Sequence, residues 1–315
     1  TFFVGALGGV VCFISLLTNS FNLLIMGAFI LGIGQSASLQ TRYASSFIVK
    51  EEFRATALSL AVWFSVFGSV FGPRLVGQYS DTFNDIFGSE LIVAYLIATI
   101  GFLLAGICVI GLTDKSSLLR LPVISEHTST KTKLDVKAKQ LTMLLVVNHF
   151  VMVIIMAATP LHVQDIGETI KVVGTIISYH TLGMFVFSPI LGRFVDKVGS
   201  KKVSICGGFI LLISCIFALN SEDIILLHLS LFLLGLGWNF NYVSISSEIS
   251  KYSIEKNTNL NIKSDSFVFV GSVFAQSSLG LTYTVIGFQG LVIFGTLSAI
   301  FLVFNLIRLS SKLLT

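Results

Sequence analysis

The sequence predicts an all-α integral membrane protein with ten transmembrane helices arranged in two bundles. Hydrophobic residues make up 54% of the 315 residues and charged residues only 11%, with a mean hydropathy of +0.91, whereas about a quarter of a soluble globular chain is charged. Apolar runs recur along the whole length, each long enough to cross a hydrocarbon core of roughly 30 Å. A polar stretch at 113–139 separates the first four runs from the last six.

The ten predicted spans lie near 1–17, 21–43, 54–78, 91–112, 140–162, 170–191, 203–220, 224–246, 265–287 and 290–308. They define a partial N-terminal bundle at 1–112, a linker at 113–139 rich in basic residues and Ser/Thr, and a six-helix C-terminal bundle at 140–315. No basic region precedes the first apolar run, as a signal peptide would require. Segment 1–17 is therefore interpreted as an internal helix of a longer sequence.

The distribution of basic residues predicts the orientation. If the linker faces the cytoplasm, alternate connections do so too, and these hold 18 of the 20 Lys and Arg residues. Cytoplasmic connections are enriched in Lys and Arg in membrane proteins. The sequence therefore predicts a multi-pass protein of the inner or plasma membrane, with the linker and the C-terminus in the cytoplasm.

Several chemical classes are disfavoured. All four cysteines fall inside apolar runs, which argues against a disulfide framework or a metal site. No phosphate-binding Gly-x-x-x-x-Gly-Lys-Ser/Thr loop is present, which argues against ATP hydrolysis. A net charge of +4 is too small to indicate nucleic acid. We expect no cofactor, and we expect a small-molecule substrate and the lipid bilayer as partners. Nothing in the sequence specifies an oligomeric state.

A charged motif lies between the sixth and seventh spans and reads Gly192-Arg-Phe-Val-Asp196-Lys197-Val-Gly199-Ser-Lys201-Lys202. It resembles the signature loop of the major facilitator superfamily (MFS) of secondary transporters, prokaryotic type. The resemblance implies twelve helices in two six-helix halves joined by a cytoplasmic linker. On that alignment the ten spans correspond to family helices 3–12, and the first two helices are not represented.

The charged motif has two interpretations. Glycine at 192 and 199 permits tight turns, and Asp196 is expected near the start of a helix, where its carboxylate meets the positive end of the dipole. The resemblance implies that Asp196 pairs with Arg54 and holds the two halves together on the cytoplasmic side. Lys201 and Lys202 would pair with Glu248 or with lipid head groups. Alternatively, these charges only set the topology.

A proline element lies on the third span: Gly68, Gly72, Pro73 and Gly77. It resembles an element on the family's fifth helix that is associated with antiporters. The resemblance therefore favours export over uptake. Two positions differ from what is usual in this family element. Gln78 stands where a second terminal glycine is usual, and an arginine, Arg74, occupies a position that varies within the family.

Ionisable residues within the spans are candidates for proton coupling, because a charge at the bilayer centre is costly. His149 and His180 each lie about ten residues into a span, on consecutive antiparallel helices, which predicts similar depths. Histidine titrates near neutral pH, but each ring could instead be neutral and hydrogen-bonded between helices. Asp265 lies near the cytoplasmic end of its span and could pair with Arg42, or each could simply reach the interface.

Polar and aromatic residues on the family's fourth, seventh and tenth helices are candidates for a substrate cavity. These residues are Gln35, Arg42, Asn148, Trp238, Asn239 and Asn241. A tryptophan in a glycine-rich helix can also be a packing residue. Glycines within the spans favour close helix packing, and we expect this of Gly5, Gly8, Gly9, Gly32, Gly34, Gly235 and Gly237.

The function that the sequence favours is secondary active transport of a small organic solute by alternating access, coupled to protons. Two other classes remain open: a membrane sensor or scaffold that does not transport, and an incomplete MFS fragment. A membrane-embedded enzyme is less favoured, because His149 and His180 have no acidic partner at their depth.

Overall fold

The computed structural model is helical throughout the residues that it describes, which are 2–47, 54–113, 135–220, 222–256 and 260–311. Side chains are not described for 36–62, 112, 113, 250, 254, 255, 261, 310 and 311. The chain divides into two compact units, one within 1–124 and the other within 125–315. The first unit contains α1 (Phe2–Leu17), α2 (Phe21–Phe47), α3 (Arg54–Phe87) and α4 (Ile92–Thr113).

The second unit contains six helices. They are α5 (Val136–Asp165), α6 (Ile170–Phe185), α7 (Ser188–Val198), α8 (Ser200–Ala218), α9 (Ile224–Glu255) and α10 (Leu260–Ser311). Helix α9 is the centre of this unit, since it packs against α5, α6, α8 and α10. The most extensive buried core lies among these helices, so the residues of α9 that face α5 are enclosed.

The charged motif is helical rather than a loop. Helix α7 begins at Ser188 with a proline in its first turn, where no helical N–H bond is lost. Gly199, with φ 94°, separates α7 from α8, a conformation that disfavours any residue with a Cβ. Asp196 therefore lies in the last turn of α7 and is exposed. The prediction that it lies near the start of a helix was wrong, because the break falls three residues later.

Helix α10 joins the two last predicted spans. At 52 residues it would be about 78 Å long if straight, far more than one crossing requires. Gly287 interrupts it with φ 65° and ψ −178°, within the boundary predicted at 287–290. The two arms are each about 36–40 Å long, so each is long enough to cross a bilayer.

The fold class is confirmed, but the number of ten spans is not. Among the described residues, six helical segments are long and apolar enough to span a membrane: α4, α5, α6 with α7, α8, α9 and α10. Helix α1 and the segment Phe21–Gln35 of α2, where side chains are described, are apolar but shorter than a full span. The number of segments is smaller than the number of predicted spans partly because α10 contains two predicted spans, 265–287 and 290–308, in one segment.

Glycines allow close helix contacts in both units. A Cβ on Gly34 would clash with the backbone of Gly5, and one on Gly8 would clash with Leu31. Gly235 approaches α6 so closely that a Cβ would clash with the carbonyl oxygen of His180. Gly32 does not follow this prediction, since a Cβ there would meet open space.

Large apolar side chains on the outside of both units fit a lipid environment. Phe274 is 72% exposed and Phe304 61% exposed on α10, and Ile110 is 59% exposed on α4. Exposure to water costs roughly 25 cal/mol per Å² of apolar surface, whereas exposure to lipid tails does not. These faces therefore support the prediction of a bilayer as partner.

Candidate functional site

A polar network connects the middle of α5 to the middle of α9. Asn148, fully buried on α5, donates from Nδ2 to the backbone oxygen of Trp238 at 3.2 Å. Asn241, also fully buried, donates from Nδ2 to Asn148 Oδ1 at 3.0 Å. A buried amide without a partner costs about 1–3 kcal/mol, so this chain of bonds fixes the register of the two helices.

Trp238 lies at the centre of this network and is 6% exposed. Its indole Nε1–H donates to Nδ1 of His149 at 3.2 Å. Its ring stacks on Tyr242 with centroids 4.7 Å apart and planes at 16°, and Phe185 approaches it edge-on at 6.5 Å. Three aromatic rings and an imidazole therefore adjoin the amide network.

Two buried amide atoms on α9 have no hydrogen-bond partner among the described residues. Asn239, 2% exposed, accepts a bond on Oδ1 from the Ser188 hydroxyl at 3.3 Å. Within the part of the chain that the structure describes, Asn239 Nδ2 and Asn241 Oδ1 have no hydrogen-bond partner. Buried polar atoms are nearly always satisfied by protein, water or ligand. Asn241 Oδ1 faces Gly207 of α8, so one unsatisfied donor and one unsatisfied acceptor lie within the helix packing around α9.

His180 makes its own contact with α9. Its Nδ1 lies 2.8 Å from the carbonyl oxygen of Leu231, and since a carbonyl can only accept, Nδ1 carries the proton. The ring is fully buried, and Nε2 has no partner among the described residues. Leu231 and Trp238 are seven residues, about 10 Å, apart along α9. The prediction that His149 and His180 lie at similar depth was therefore wrong, because their partners on α9 are separated by about 10 Å of a hydrocarbon core of roughly 30 Å.

The remaining predicted site residues lie elsewhere. Asp265 is half-buried near the start of α10, and Gln35 is exposed on α2. The side chains of Arg42 and Arg54 lie outside the described residues, so their pairing with Asp265 and Asp196 stays a prediction.

The residues of the charged motif and the proline element occupy helices. Glu248 pairs with Lys251 at 3.6 Å, rather than with Lys201 or Lys202 as expected. The other residues of the two motifs have these positions: Gly192 and Lys197 in α7, Lys201 and Lys202 in the first turn of α8, and Gly68, Gly72, Pro73 and Gly77 in α3.

Three residues of the network were not predicted from the sequence: Phe185, Ser188 and Tyr242. Tyr242 follows Trp238 by four residues, a spacing that places two side chains on one face of a helix, so this signal was available. Phe185 and Ser188 flank the break between α6 and α7, and no local pattern marks them. Metal binding receives no support here, since no group of three His, Cys, Asp or Glu side chains suited to a metal was found among the described residues.

The family model of the Major Facilitator Superfamily matches residues 1–253 and 141–313. The chain belongs to this superfamily. This confirms the predicted family.

Three relatives are similar to the chain. The MFS-type transporters YdeG and YddS of Bacillus subtilis (strain 168), both described as uncharacterized, are 32% and 29% identical to it, each over 77% of the chain. The riboflavin transporter RfnT of Brucella anthropi is 23% identical over 87% of the chain and 69% of its own length. The chain spans 60% and 59% of the length of YdeG and YddS.

Proposed function

We propose that the protein is a secondary active transporter that moves a small organic solute across the inner or plasma membrane by alternating access, coupled to protons. The observation that carries this proposal is the polar and aromatic network of Asn148, His149, Trp238 and Asn241, with Asn239 next to Trp238 on α9 and bonded to Ser188. These residues lie near the middle of otherwise apolar helices, where a substrate site is expected in transporters built from repeats.

Proton coupling is supported by the two histidines. Each has one ring nitrogen engaged with α9, at Trp238 or at Leu231. Neither lies near a carboxylate in the sequence, since the closest acidic residues are Asp135, 14 residues from His149, and Glu168, 12 residues from His180. The histidines are therefore the side chains within these apolar stretches that we propose for reversible protonation.

The proline element alone favours one direction of transport, export, over uptake. Gly68, Gly72, Pro73 and Gly77 resemble an element that is associated with antiporters, with departures at Arg74 and Gln78, and this resemblance weakly favours export. The orientation that we propose, with the linker and the C-terminus in the cytoplasm, is supported by the 18 Lys and Arg residues on that side.

The experiment is solute flux in proteoliposomes that contain the purified protein. Riboflavin is the first probe, because it is the solute of one relative, followed by a panel of planar and aliphatic organic solutes. We expect saturable flux of at least one solute, which N148A and W238F reduce at least tenfold.

N305A is the matched control. Asn305 donates to the Phe301 carbonyl four residues earlier in its own helix, so its loss should leave flux unchanged. Binding of a solute without any flux would instead support the sensor interpretation. Equal flux in N148A, W238F and the unmodified protein would refute the proposed site.

A further inference from the structure

The first arm of α10, 260–286, packs along α5 in the same direction. The hydroxyl groups of Thr142 and Ser264 share a hydrogen bond of 2.9 Å near the beginnings of the two helices. Close to the other end, the Tyr283 hydroxyl donates to Asp165 Oδ2 at 2.6 Å, and Asp165 is the last residue of α5. The last turn of this arm therefore lies beside the C-terminal end of α5.

The second arm of α10, 288–311, returns along α5 in the opposite direction. Its first residue, Phe288, stacks on the His162 ring with centroids 4.2 Å apart and planes at 9°. Six residues later, Phe294 meets Phe150 edge-on with centroids 5.9 Å apart. Since Phe150 precedes His162 on α5, the two chains run antiparallel here. The turn between the arms thus lies at the C-terminal end of α5.

A cavity of about 890 Å³ opens at this turn, a volume within the range of small-molecule sites. Asp165 lies sixteen residues from His149 along α5, roughly 24 Å, so the cavity is separate from the network around Trp238. Its polar lining comes from both helices and consists of His162, Gln164, Asp165, Tyr283, Thr284 and Gln289.

The two hydroxyl groups of the cavity have already donated their hydrogens. Tyr283 donates to Asp165, and Thr284 donates to the Leu281 carbonyl oxygen at 2.8 Å. A hydroxyl has one hydrogen and two lone pairs, so both oxygens can only accept from a ligand, as can a carboxylate. The two glutamine amides and the imidazole offer donors as well. The hydroxyl groups and the carboxylate therefore favour a ligand with several N–H donors.

The charge of the cavity favours a cation. Asp165 is exposed, and no Lys or Arg is among the described residues that line the cavity. The C-terminal end of α5 adds the negative end of a helix dipole. A single carboxylate is a poor match for a divalent metal ion, which takes several oxygen ligands. An organic cation with N–H groups fits both the charge and the acceptors.

Apolar side chains complete the lining. Leu161 and Ile286, which are 38% and 48% exposed, line the cavity beside the polar groups. Tyr283 in the same wall can add cation–π attraction. Because covering apolar surface is favourable in water, these side chains favour a ligand that has an apolar part next to its charge.

We propose that this cavity is a second binding site of the protein, which takes a primary ammonium group carried on a small apolar body. Asp165 binds the ammonium, the oxygens of Tyr283 and Thr284 accept further N–H donors, and the apolar body covers Leu161 and Ile286. The inference goes beyond the proposed function, because it requires neither the network around α9 nor flux. A soluble amine and the ethanolamine head group of a lipid share this chemistry.

Equilibrium binding of radiolabelled 2-phenylethylammonium to the purified full chain in detergent tests the site. At about pH 8 a primary amine such as that of lysine is protonated, whereas free histidine is neutral. We expect saturable binding that 2-phenylethanol, which has a similar shape but no charge, does not displace. D165N should weaken binding about tenfold or more, as expected for the loss of a charge-assisted hydrogen bond, and D165E should retain most of it. D165A is the second variant if D165N does not fold.

E168Q is the matched control. Glu168 is exposed three residues beyond Asp165 and does not line the cavity, so its loss removes the same charge without removing a contact. We expect E168Q to bind 2-phenylethylammonium as the unmodified protein does. Absence of saturable binding, displacement by 2-phenylethanol, or equal affinities of D165N and E168Q would overturn the site.

Competition by lipids distinguishes the two sources of the ammonium group. Displacement of the probe by phosphatidylethanolamine, but not by phosphatidylcholine, which has no N–H, would assign the site to a lipid head group. A probe that neither lipid displaces would assign the site to a soluble amine. Binding of the probe without any solute flux would contradict the proposed function alone, and flux without binding of the probe would contradict this site alone.

Discussion

The contact of Gly235 with α6 gives a sharp test of the helix packing that positions the network. In G235A the added methyl group would clash with the carbonyl oxygen of His180 and lie 3.0 Å from the backbone nitrogen of Met184. Overpacking costs about 1–3 kcal/mol, at the upper end here because backbone atoms cannot rotate away. Replacing a helical glycine by alanine returns about 1 kcal/mol, so we expect a net loss of about 1–2 kcal/mol.

The matched control is G271A on α10. A methyl group there would meet only Val146 Cγ1, at an ordinary 3.5 Å, so the variant should be about as stable as the unmodified protein or up to about 1 kcal/mol more stable. The assay is denaturant unfolding of both variants in the same detergent, followed by circular dichroism. Equal stability of G235A and G271A would show that α6 and α9 do not approach as closely as described.

Three further predictions concern single contacts. N148A should lose about 1–3 kcal/mol of unfolding free energy in the same assay, because the buried Asn241 Nδ2 loses its acceptor, and a neutral result would contradict the buried network. G199A should lose about 1–2 kcal/mol, since φ is 94° there, and unchanged stability would contradict the break between α7 and α8. The Tyr252 hydroxyl and a backbone amide donate to Asp135 and hold the pKa of that carboxyl below its ordinary value. Its contribution to stability is therefore complete above about pH 4 and lost as the pH falls through the lowered pKa. D135N should show a smaller loss of stability with acid, and an identical acid profile would contradict the contact.

Much of the fold follows from hydropathy. The ends of α1, α4 and α8 lie within three residues of the predicted spans, because the boundary between apolar and charged residues is abrupt there. The junctions within helical segments were harder to predict. Asp196 was assigned to a helix start because charge density normally marks a loop, yet α7 continues to Val198 and ends only at a glycine with positive φ.

The members of the site were predictable, but their connections were not. Asn148, Trp238, Asn239 and Asn241 are polar or amphipathic residues in apolar surroundings, which is a signal that the sequence contains. Trp238 bonds to His149 rather than to His180 because of how α9 is rotated about its own axis relative to α5 and α6. This rotation is determined by glycine contacts and side-chain volumes that act across helices, so no local pattern encodes it.

The most direct test of the central claim is solute accumulation in proteoliposomes across an imposed pH gradient. The account predicts that a transported solute accumulates against its own gradient when a pH gradient is present, and that a protonophore abolishes this accumulation. It also predicts that replacing His149 by glutamine leaves only downhill flux. Accumulation that is the same with and without the pH gradient would contradict proton coupling.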